Sequence, residues 1–370
     1  MPKKPKLPEV VKALPPPLEA VDEPSRAVEL PLKGTRLFEV GPAGPATAAK
    51  EGVVMVTVEE RVLLAKLTGN TLSSIAEPKE NFVSIGRGPA VVDGMAYWVS
   101  SGRLLRARVA SRSAPEVLAT DARNGTRVQV VRYRGQLLVA YIGKIAGTDG
   151  LVARLWTEKS GNLLLSPDGS TANTVSIAES GERVWVVYLE SRTGMSPLHA
   201  RLVSGAGNKV ELGPDVVVWV SGTAQPMTEV HLGNSPKGLF AFVPIERDSS
   251  TFGLARLALG DAPTTTTPLS WTLYANGLDP APFAVAKVCG VNFLLTVLPV
   301  DDAPRSPEQL QLRSFDGSEL GGAFTLANAR VFSNVSFAEN AGKVLFSYVA
   351  DRETWALLAD CATLAKLHQR

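Results

Sequence analysis

The stretch Leu254-Ala255-Arg256-Leu257 decides the fold, because closely similar tetrapeptides recur along the chain. Four earlier stretches share its plan of alanine, then a basic residue, then an aliphatic one: Leu64-Ala65-Lys66-Leu67, Arg106-Ala107-Arg108-Val109, Val152-Ala153-Arg154-Leu155 and His199-Ala200-Arg201-Leu202. Two degraded copies follow, Gln311-Leu312-Arg313-Ser314 and Trp355-Ala356-Leu357-Leu358. This recurrence at matched positions predicts a repeated structural unit.

Each unit also contains a glycine turn followed by an apolar strand, ahead of the tetrapeptide. The turn glycines are Gly52, Gly94, Gly135, Gly181, Gly238, Gly290 and Gly342. Apolar residues then run continuously, which is typical of strands packed on both faces and not of helices. We therefore expect an all-β, seven-bladed β-propeller with four antiparallel strands, A to D, in each blade, and no helix between residues 45 and 361.

The two ends of the chain are expected to meet in the last blade. The seventh unit has strands A to C but little sequence after them, and an open sheet edge is a site of aggregation that proteins avoid. Residues 26–41, with a short strand at 37–40, are predicted to supply the missing outer strand and close the ring. Residues 26–370 then form a single propeller, and residues 1–25 form a flexible leader rich in proline and lysine. An extra apolar run at 216–220 is either a fifth strand or a lid.

Composition excludes several classes of function. Apolar residues make up 45% of the chain and charged residues 20%, which is typical of a globular protein. The net charge of +2 does not favour a nucleic-acid partner. No apolar run is long enough for a transmembrane segment. Three separated histidines and two cysteines do not match a metal site, and we expect no metal and no cofactor.

The two cysteines are predicted to be free and mostly buried. Cys289 should end strand A of blade six, and Cys361 should lie near the end of strand C of blade seven. Both ends reach the same face, but two strand steps and a change of blade separate them. A disulfide needs Cα atoms within about 7 Å, so we expect two thiols.

The repeat, its glycine turns and the proline-rich leader resemble those of secreted or surface-anchored β-propeller repeat proteins of Gram-negative bacteria, many of them lipoproteins. The resemblance covers roughly residues 26–361. It implies an exported protein that is periplasmic, outer-membrane-anchored or extracellular, whose signal peptide is missing from this sequence; a cytoplasmic location is the alternative. We also expect a monomer, unless the protein is part of a complex.

The loops between strands B and C of blades four to seven carry the candidate binding residues. They should line one half of the same face, and arginine there can hold carboxylates through paired hydrogen bonds. The set comprises Glu190, Arg192, Glu246, Arg247, Asp248, Asp301, Asp302, Arg305, Asp351, Arg352 and Glu353. Ordinary solvated loop charges are the plainer interpretation.

Three functions follow from this pattern. The first is a non-catalytic binding or scaffolding propeller, tethered at the bacterial envelope, which uses one face for a protein or glycan partner. The second is a glycoside hydrolase or sialidase-like enzyme, in which Glu190, Asp301 or Asp351 would supply the two carboxylates that glycoside hydrolysis needs. The third is a subunit of an envelope or secretion complex.

Overall fold

The computed structural model describes most of the ring. The described residues are 28–29, 35–38, 47–50, 53–58, 61–68, 71–76, 89–109, 114–167, 169–190, 195–205, 209–221, 229–248, 251–264, 266, 274–276, 282–300, 306–316 and 320–368. They form thirty strands and one helix. The leader predicted at residues 1–25 lies outside them.

Seven sheets contain all of the described strands. Two short strands come first in the chain, β1 (Val28–Glu29) and β2 (Thr35–Phe38). Blades one to three then take their strands in order: β3 (Thr47–Lys50), β4 (Val53–Val58), β5 (Arg61–Thr68) and β6 (Thr71–Ala76); β7 (Ala90–Val92), β8 (Met95–Ser100), β9 (Arg103–Arg108) and β10 (Glu116–Ala119); β11 (Gln129–Tyr133), β12 (Gln136–Lys144), β13 (Leu151–Thr157) and β14 (Gly161–Leu164).

Blades four to seven complete the ring. Their strands are β15 (Ala172–Ser180), β16 (Arg183–Glu190), β17 (Ser196–Ser204), β18 (Glu211–Leu212) and β19 (Val216–Ser221); β20 (His231–Ser235), β21 (Gly238–Asp248), β22 (Thr251–Leu259) and β23 (Tyr274–Asn276); β24 (Phe283–Val288), β25 (Val291–Pro299), β26 (Glu308–Ser314) and β27 (Phe324–Ala329); β28 (Phe332–Asn340), β29 (Lys343–Ala350) and β30 (Glu353–Asp360), followed by helix α1 (Cys361–His368).

The first strand of every blade lies at the axis. Strand β3 contacts β7, and the contacts then continue from blade to blade around the ring until β28 contacts β3 again. A side-chain hydrogen bond joins the last and first blades, from the amide of Asn340 to the carbonyl oxygen of Val53 at 2.8 Å. The seven-bladed β-propeller predicted from the repeat is confirmed.

Local turn chemistry explains why the repeat is readable in the sequence. Both residues of the Asp93-Gly94 turn have positive φ, 52° and 72°, and Ala341-Gly342 has 51° and 74°. This is the tight hairpin turn whose twist matches that of the flanking strands, and it favours glycine at its second position. The second strands that follow are covered on both faces by neighbouring blades; residues 138–142 have no exposed surface.

The N-terminal strands join the last two blades. Strand β2 pairs antiparallel with β30 and is the fourth strand of blade seven. Strand β1 pairs parallel with β27 and adds a fifth strand to blade six. That this pairing holds the ring closed stays a prediction. The extra apolar run is a strand and not a lid, because β19 pairs antiparallel with β17.

The prediction of two free thiols is wrong. Cys289 and Cys361 form a disulfide, with their Cα atoms 5.3 Å apart. The backbone N–H of Cys289 donates a hydrogen bond to the Glu339 carboxylate of the neighbouring blade, and the N–H of Cys361 donates to the carbonyl oxygen of Gly342 at 3.0 Å. The expected separation was judged from strand steps in a flat sheet and ignored the twist. The twist brings the end of the third strand of blade seven close to the turns that follow the first strands of blades six and seven.

Two basic residues of the repeated tetrapeptides, Arg154 and Arg201, hold neighbouring segments together, whereas Lys66 and Arg108 are exposed. Arg154 pairs with Asp121 at 2.6 Å, and Arg201 donates to the carbonyl oxygen of Leu165 in the preceding blade at 2.8 Å. Arg256 is only 2% exposed. In blades three and four the repeat therefore marks a polar contact between neighbouring segments.

Candidate binding site at the axial channel

The two faces of the ring differ in the connections that they carry. We call the face where the chain enters the inner strands the entry face. It carries the connections from strand D to the next strand A, such as residues 120–128, and those from strand B to strand C, such as residues 145–150. The opposite face carries tight turns such as Asp93-Gly94. Inner strands are nearest the axis, so the connections that lead into them surround the mouth of the channel.

Glu190, the first of the predicted binding residues, does not reach the entry face. Its side chain is 1% exposed, and its Oε2 lies 3.6 Å from Nε2 of His199. The other ring nitrogen of His199, Nδ1, lies 3.1 Å from Oδ2 of Asp215, which also accepts a hydrogen bond from the hydroxyl of Tyr188 at 2.8 Å. Glu190 is thus part of a buried charged cluster within blade four.

Burial and charge set the ionisation of this cluster. Burial lowers the pKa of His199, but the hydrogen bonds and charges of Asp215 and Glu190 outweigh it, so the pKa lies above its usual range. Burial, together with the Asp215 charge, raises the pKa of Tyr188. A protonated imidazole between two carboxylates is a stabilising arrangement, and none of these side chains lines the axial cavity.

The predicted residues of blade five lie at its connection between strands B and C, and those of blade six lie outside the described chain. Glu246, Arg247 and Asp248 end β21 at the tip of its hairpin with β22, where Asp248 is opposite Thr251. Their side chains are not described. Arg192, Asp301, Asp302 and Arg305 lie outside the described residues.

The blade-seven residues form a tight turn. Asp351 and Arg352 both have positive φ, and both side chains are exposed. The Asp351 carboxylate accepts hydrogen bonds from the N–H groups of Arg330 and Val331, so it ties the turn to the preceding connection. Glu353 begins β30. The structure therefore does not gather the described members of the predicted set into one site.

The axis itself holds a cavity of about 270 Å³. Residues from the first strands of all seven blades line it: Thr47, Ala90, Val91, Val92, Gln129, Val130, Ile177, His231, Ala284, Val285, Ala286, Ser336 and Phe337, with Pro89, Arg127 and Val128 from the connections. Thr47, Gln129 and His231 are the first residues of their strands. Ile177, Ser336 and Phe337 lie midway along their strands, so the cavity extends from the entry-face end into the middle of the channel.

Arg127 and His231 are the charged and titratable side chains of the described cavity wall. The Nη1 atom of Arg127 lies 3.0 Å from Nδ1 and 2.9 Å from Nε2 of His231. The His231 ring packs edge-on against Phe283 of the next blade, with ring centroids 4.7 Å apart. Glu229 is close behind, with its Oε1 4.0 Å from Nη2 of Arg127. The guanidinium thus joins blade three, which carries it, to blade five.

Gln129 is fixed beside Arg127 by the fourth blade. Its Oε1 accepts hydrogen bonds from the Ser176 hydroxyl at 2.8 Å and from the Ile177 N–H at 3.0 Å. Since a backbone N–H is only a donor, the amide atom that faces it must be the oxygen. The Ser176 oxygen in turn accepts from the N–H of Leu232 in blade five at 3.2 Å. This chain of bonds orients the Gln129 amide, so its NH₂ group is the part that a ligand can reach.

Sequence reasoning missed Arg127, Gln129 and Glu229. They stand at or just before the first strand of a blade, and not in the charged loops between strands B and C. The one available signal was position, because residues that open a first strand lie at the mouth of a propeller channel. His231 is one of the three separated histidines, and its 104-residue distance in sequence from Arg127 hid their proximity.

Among the described residues, Cys289, Glu339 and Cys361 are the one group close enough to share an ion, and its two sulfur atoms are joined in the disulfide. In the part of the chain that the structure describes, no helix is both long and apolar enough to cross a bilayer.

Known structures share this architecture at very low sequence identity. A streptogramin B lyase structure aligns over 89% of this chain and 98% of its own, with 8% identity and a TM-score of 0.51. The structure of YCF48 bound to D1 peptide aligns over 92% of this chain and all of its own, with 9% identity and a TM-score of 0.50. A sialidase of Trypanosoma rangeli in complex with sialic acid reaches only 0.48, with 13% identity.

The first two likenesses show the propeller fold and nothing finer, since one fold supports many functions. No protein-family model and no curated protein sequence matches the chain.

Proposed function

We propose that this ring is a non-catalytic binding or scaffolding protein, and that its protein or glycan partner docks on the entry face over the mouth of the axial channel. The observation that carries the proposal is the cavity at that mouth, to which all seven blades contribute residues. A concave, mostly apolar site with a few fixed polar groups is the usual form of a binding site. The rigid inner strands preorganise it.

A protein partner is the stronger of the two partner classes. The structure of YCF48 bound to D1 peptide is a precedent for a peptide on a propeller of this shape. A subunit of an envelope or secretion complex would use the same entry face, so the third function from the sequence is a special case of this proposal.

The hydrolase alternative receives less support from the described residues. Glycoside hydrolysis needs two accessible carboxylates at a defined separation. Glu190 is buried against His199, and the Asp351 carboxylate accepts two backbone N–H groups. None of the described residues that line the cavity is acidic. A hydrolase would therefore need residues other than this pair.

The disulfide supports the proposal that the protein is exported. Disulfides persist in oxidising compartments such as the periplasm and the cell exterior, and are rare in the cytosol. The intact mass of the protein from its own cells, with free thiols alkylated during lysis, tests this. An exported protein carries no alkylated cysteine, whereas two alkylated cysteines would support the cytoplasmic alternative.

Site-specific photo-crosslinking tests the docking face. Benzoylphenylalanine replaces Ala146, which is exposed on the entry face, or Glu182, which is exposed on the opposite face. We expect one recurrent cross-linked partner from position 146, none from position 182, and loss of the product when excess unlabelled protein is added. The purified partner should then bind the wild-type protein directly. Equal labelling from both faces would contradict the proposal.

A further inference from the structure

Five polar side chains line the axial cavity, namely Thr47, Arg127, Gln129, His231 and Ser336, and the two that we expect to meet a ligand, Arg127 and Gln129, present donors. Arg127 is the one permanent cation in the described lining, and no carboxylate shares that lining. The Gln129 amide has its oxygen engaged by blade four, so its NH₂ group is what remains. The hydroxyl of Thr47 donates to the carbonyl oxygen of Pro89 at 2.9 Å and is directed at the wall.

Apart from these groups the wall is mostly apolar. Val91 of blade two, Ile177 of blade four, Val285 of blade six and Phe337 of blade seven line it, together with alanines. In such low-dielectric surroundings, charge-assisted hydrogen bonds are stronger than in water. A guanidinium presents paired N–H groups whose geometry matches a carboxylate.

We propose that the axial cavity binds a carboxylate that carries a compact apolar body, with the carboxylate on Arg127 and Gln129 and the body against the aliphatic wall. The inference deepens the proposed function and rests on it, because it names the chemistry at the same mouth. A cavity of about 270 Å³ has the volume of about nine waters. It therefore suits a ligand of roughly ten to twelve non-hydrogen atoms, which is the size of one acylated amino acid.

Glu229 provides a second test of the proposed carboxylate site. Its carboxylate lies 4.0 Å from the Arg127 guanidinium, and an incoming carboxylate has to share the cation with it. Neutralising Glu229 should therefore tighten the binding of an acid. A site that holds apolar ligands by shape alone would show no such response.

Two sources present this chemistry, a free small carboxylate and the C-terminal residue of a protein chain. The probes are N-acetyl-leucine, a pentapeptide that ends in leucine, and the C-terminal amide of each. Calorimetric titration of the full chain measures the four affinities. Since hydrogen bonds to charged groups contribute more than neutral ones, each acid should bind about ten- to a hundred-fold more tightly than its amide. Equal affinity of the two acids indicates that either source fits, and a stronger peptide indicates a chain terminus.

Three variants and one matched control locate the site. Arg127→Met and Gln129→Glu should abolish the preference for acid over amide, and Glu229→Gln should increase it. Gln129→Glu keeps an acceptor for Ser176 and Ile177 while it removes the donor, so its fold should persist. The control is Arg132→Met, which removes the same charge from the same blade at an exposed pair with Asp93. It should bind like the wild type.

The results that would overturn the inference are distinct from those that test partner docking. Equal binding of acid and amide, no detectable binding of either acid, or an acid preference unchanged in both Arg127→Met and Gln129→Glu would each refute the carboxylate site. Cross-linking from position 146 would survive that failure. If position 146 also captures no partner, the proposed function fails as well.

Discussion

Removing the disulfide by the double substitution Cys289→Ser and Cys361→Ser should destabilise the ring by several kilocalories per mole. The bond joins residues 72 apart in sequence, and a cross-link of that span restricts the unfolded chain by about 4.4 kcal/mol at 25 °C in the chain-entropy account. With an unfolding entropy of about 2.1 cal/mol/K per residue over 370 residues, this corresponds to a melting temperature lower by about 6 °C.

Calorimetric melts of four samples test that value. The wild type and the double variant are each measured with and without a thiol reductant, after thiol counting in denaturant. The oxidised wild type should have no free thiol and the highest melting temperature. Reduction should lower it to the value of the double variant, which should not respond to reductant. Equal melting temperatures for the oxidised wild type and the double variant would refute the reasoning.

Three other perturbations address the closure, the buried cluster and the hydrolase alternative. Deleting residues 26–41 should lower the melting temperature sharply, because Thr35–Phe38 covers the edge of the last blade; an unchanged melt would contradict closure by this strand. Asp215 and Glu190 raise the pKa of His199. The contribution of this imidazole to the free energy of unfolding is therefore fully present below the unfolded pKa of about 6.5, and it is lost as the pH rises through the folded pKa. In urea unfolding, the free energy of unfolding of His199→Gln should therefore be lower than that of the wild type at acidic pH, and the difference should shrink toward alkaline pH. A difference that does not change with pH would contradict this. Glu190→Gln should alter stability without abolishing any hydrolytic turnover, and lost turnover at an unchanged melting temperature would favour the hydrolase.

The fold could be predicted because its signals are local. The Asp93-Gly94 turn has a backbone that favours glycine, and that requirement recurs in most blades. The tetrapeptides repeat because Arg154 and Arg201 each join their strand to a neighbouring segment. The turn acts within one unit and the Arg201 contact joins one unit to the next, so each leaves its signal once per unit in the sequence.

The site could not be predicted in the same way, because it is assembled from all seven units. Arg127 and His231 are 104 residues apart and belong to different blades. The prediction favoured Glu190 and Asp351 because they belong to charged loops. The Glu190 side chain is instead buried within its blade, and the Asp351 carboxylate accepts hydrogen bonds from the backbone of a neighbouring connection. Neither the sign nor the number of charges in a loop shows which side chain faces the axis.

The disulfide was missed for a geometric reason. Cys289 and Cys361 were correctly placed at strand ends on one face, but their separation was judged from strand spacing in a flat sheet. The twist within blade seven, together with the hydrogen bond from Cys361 to Gly342, brings the two chain segments together.

The central claim is that the ring binds at the mouth of its axial channel. Amide hydrogen exchange of the protein, alone and with the partner captured from position 146, tests it most directly. The account predicts slower exchange in the partner-bound protein at residues 127–133 and 229–235, and unchanged exchange at the turns of the opposite face. Protection confined to the outer strands or to the opposite face would contradict it.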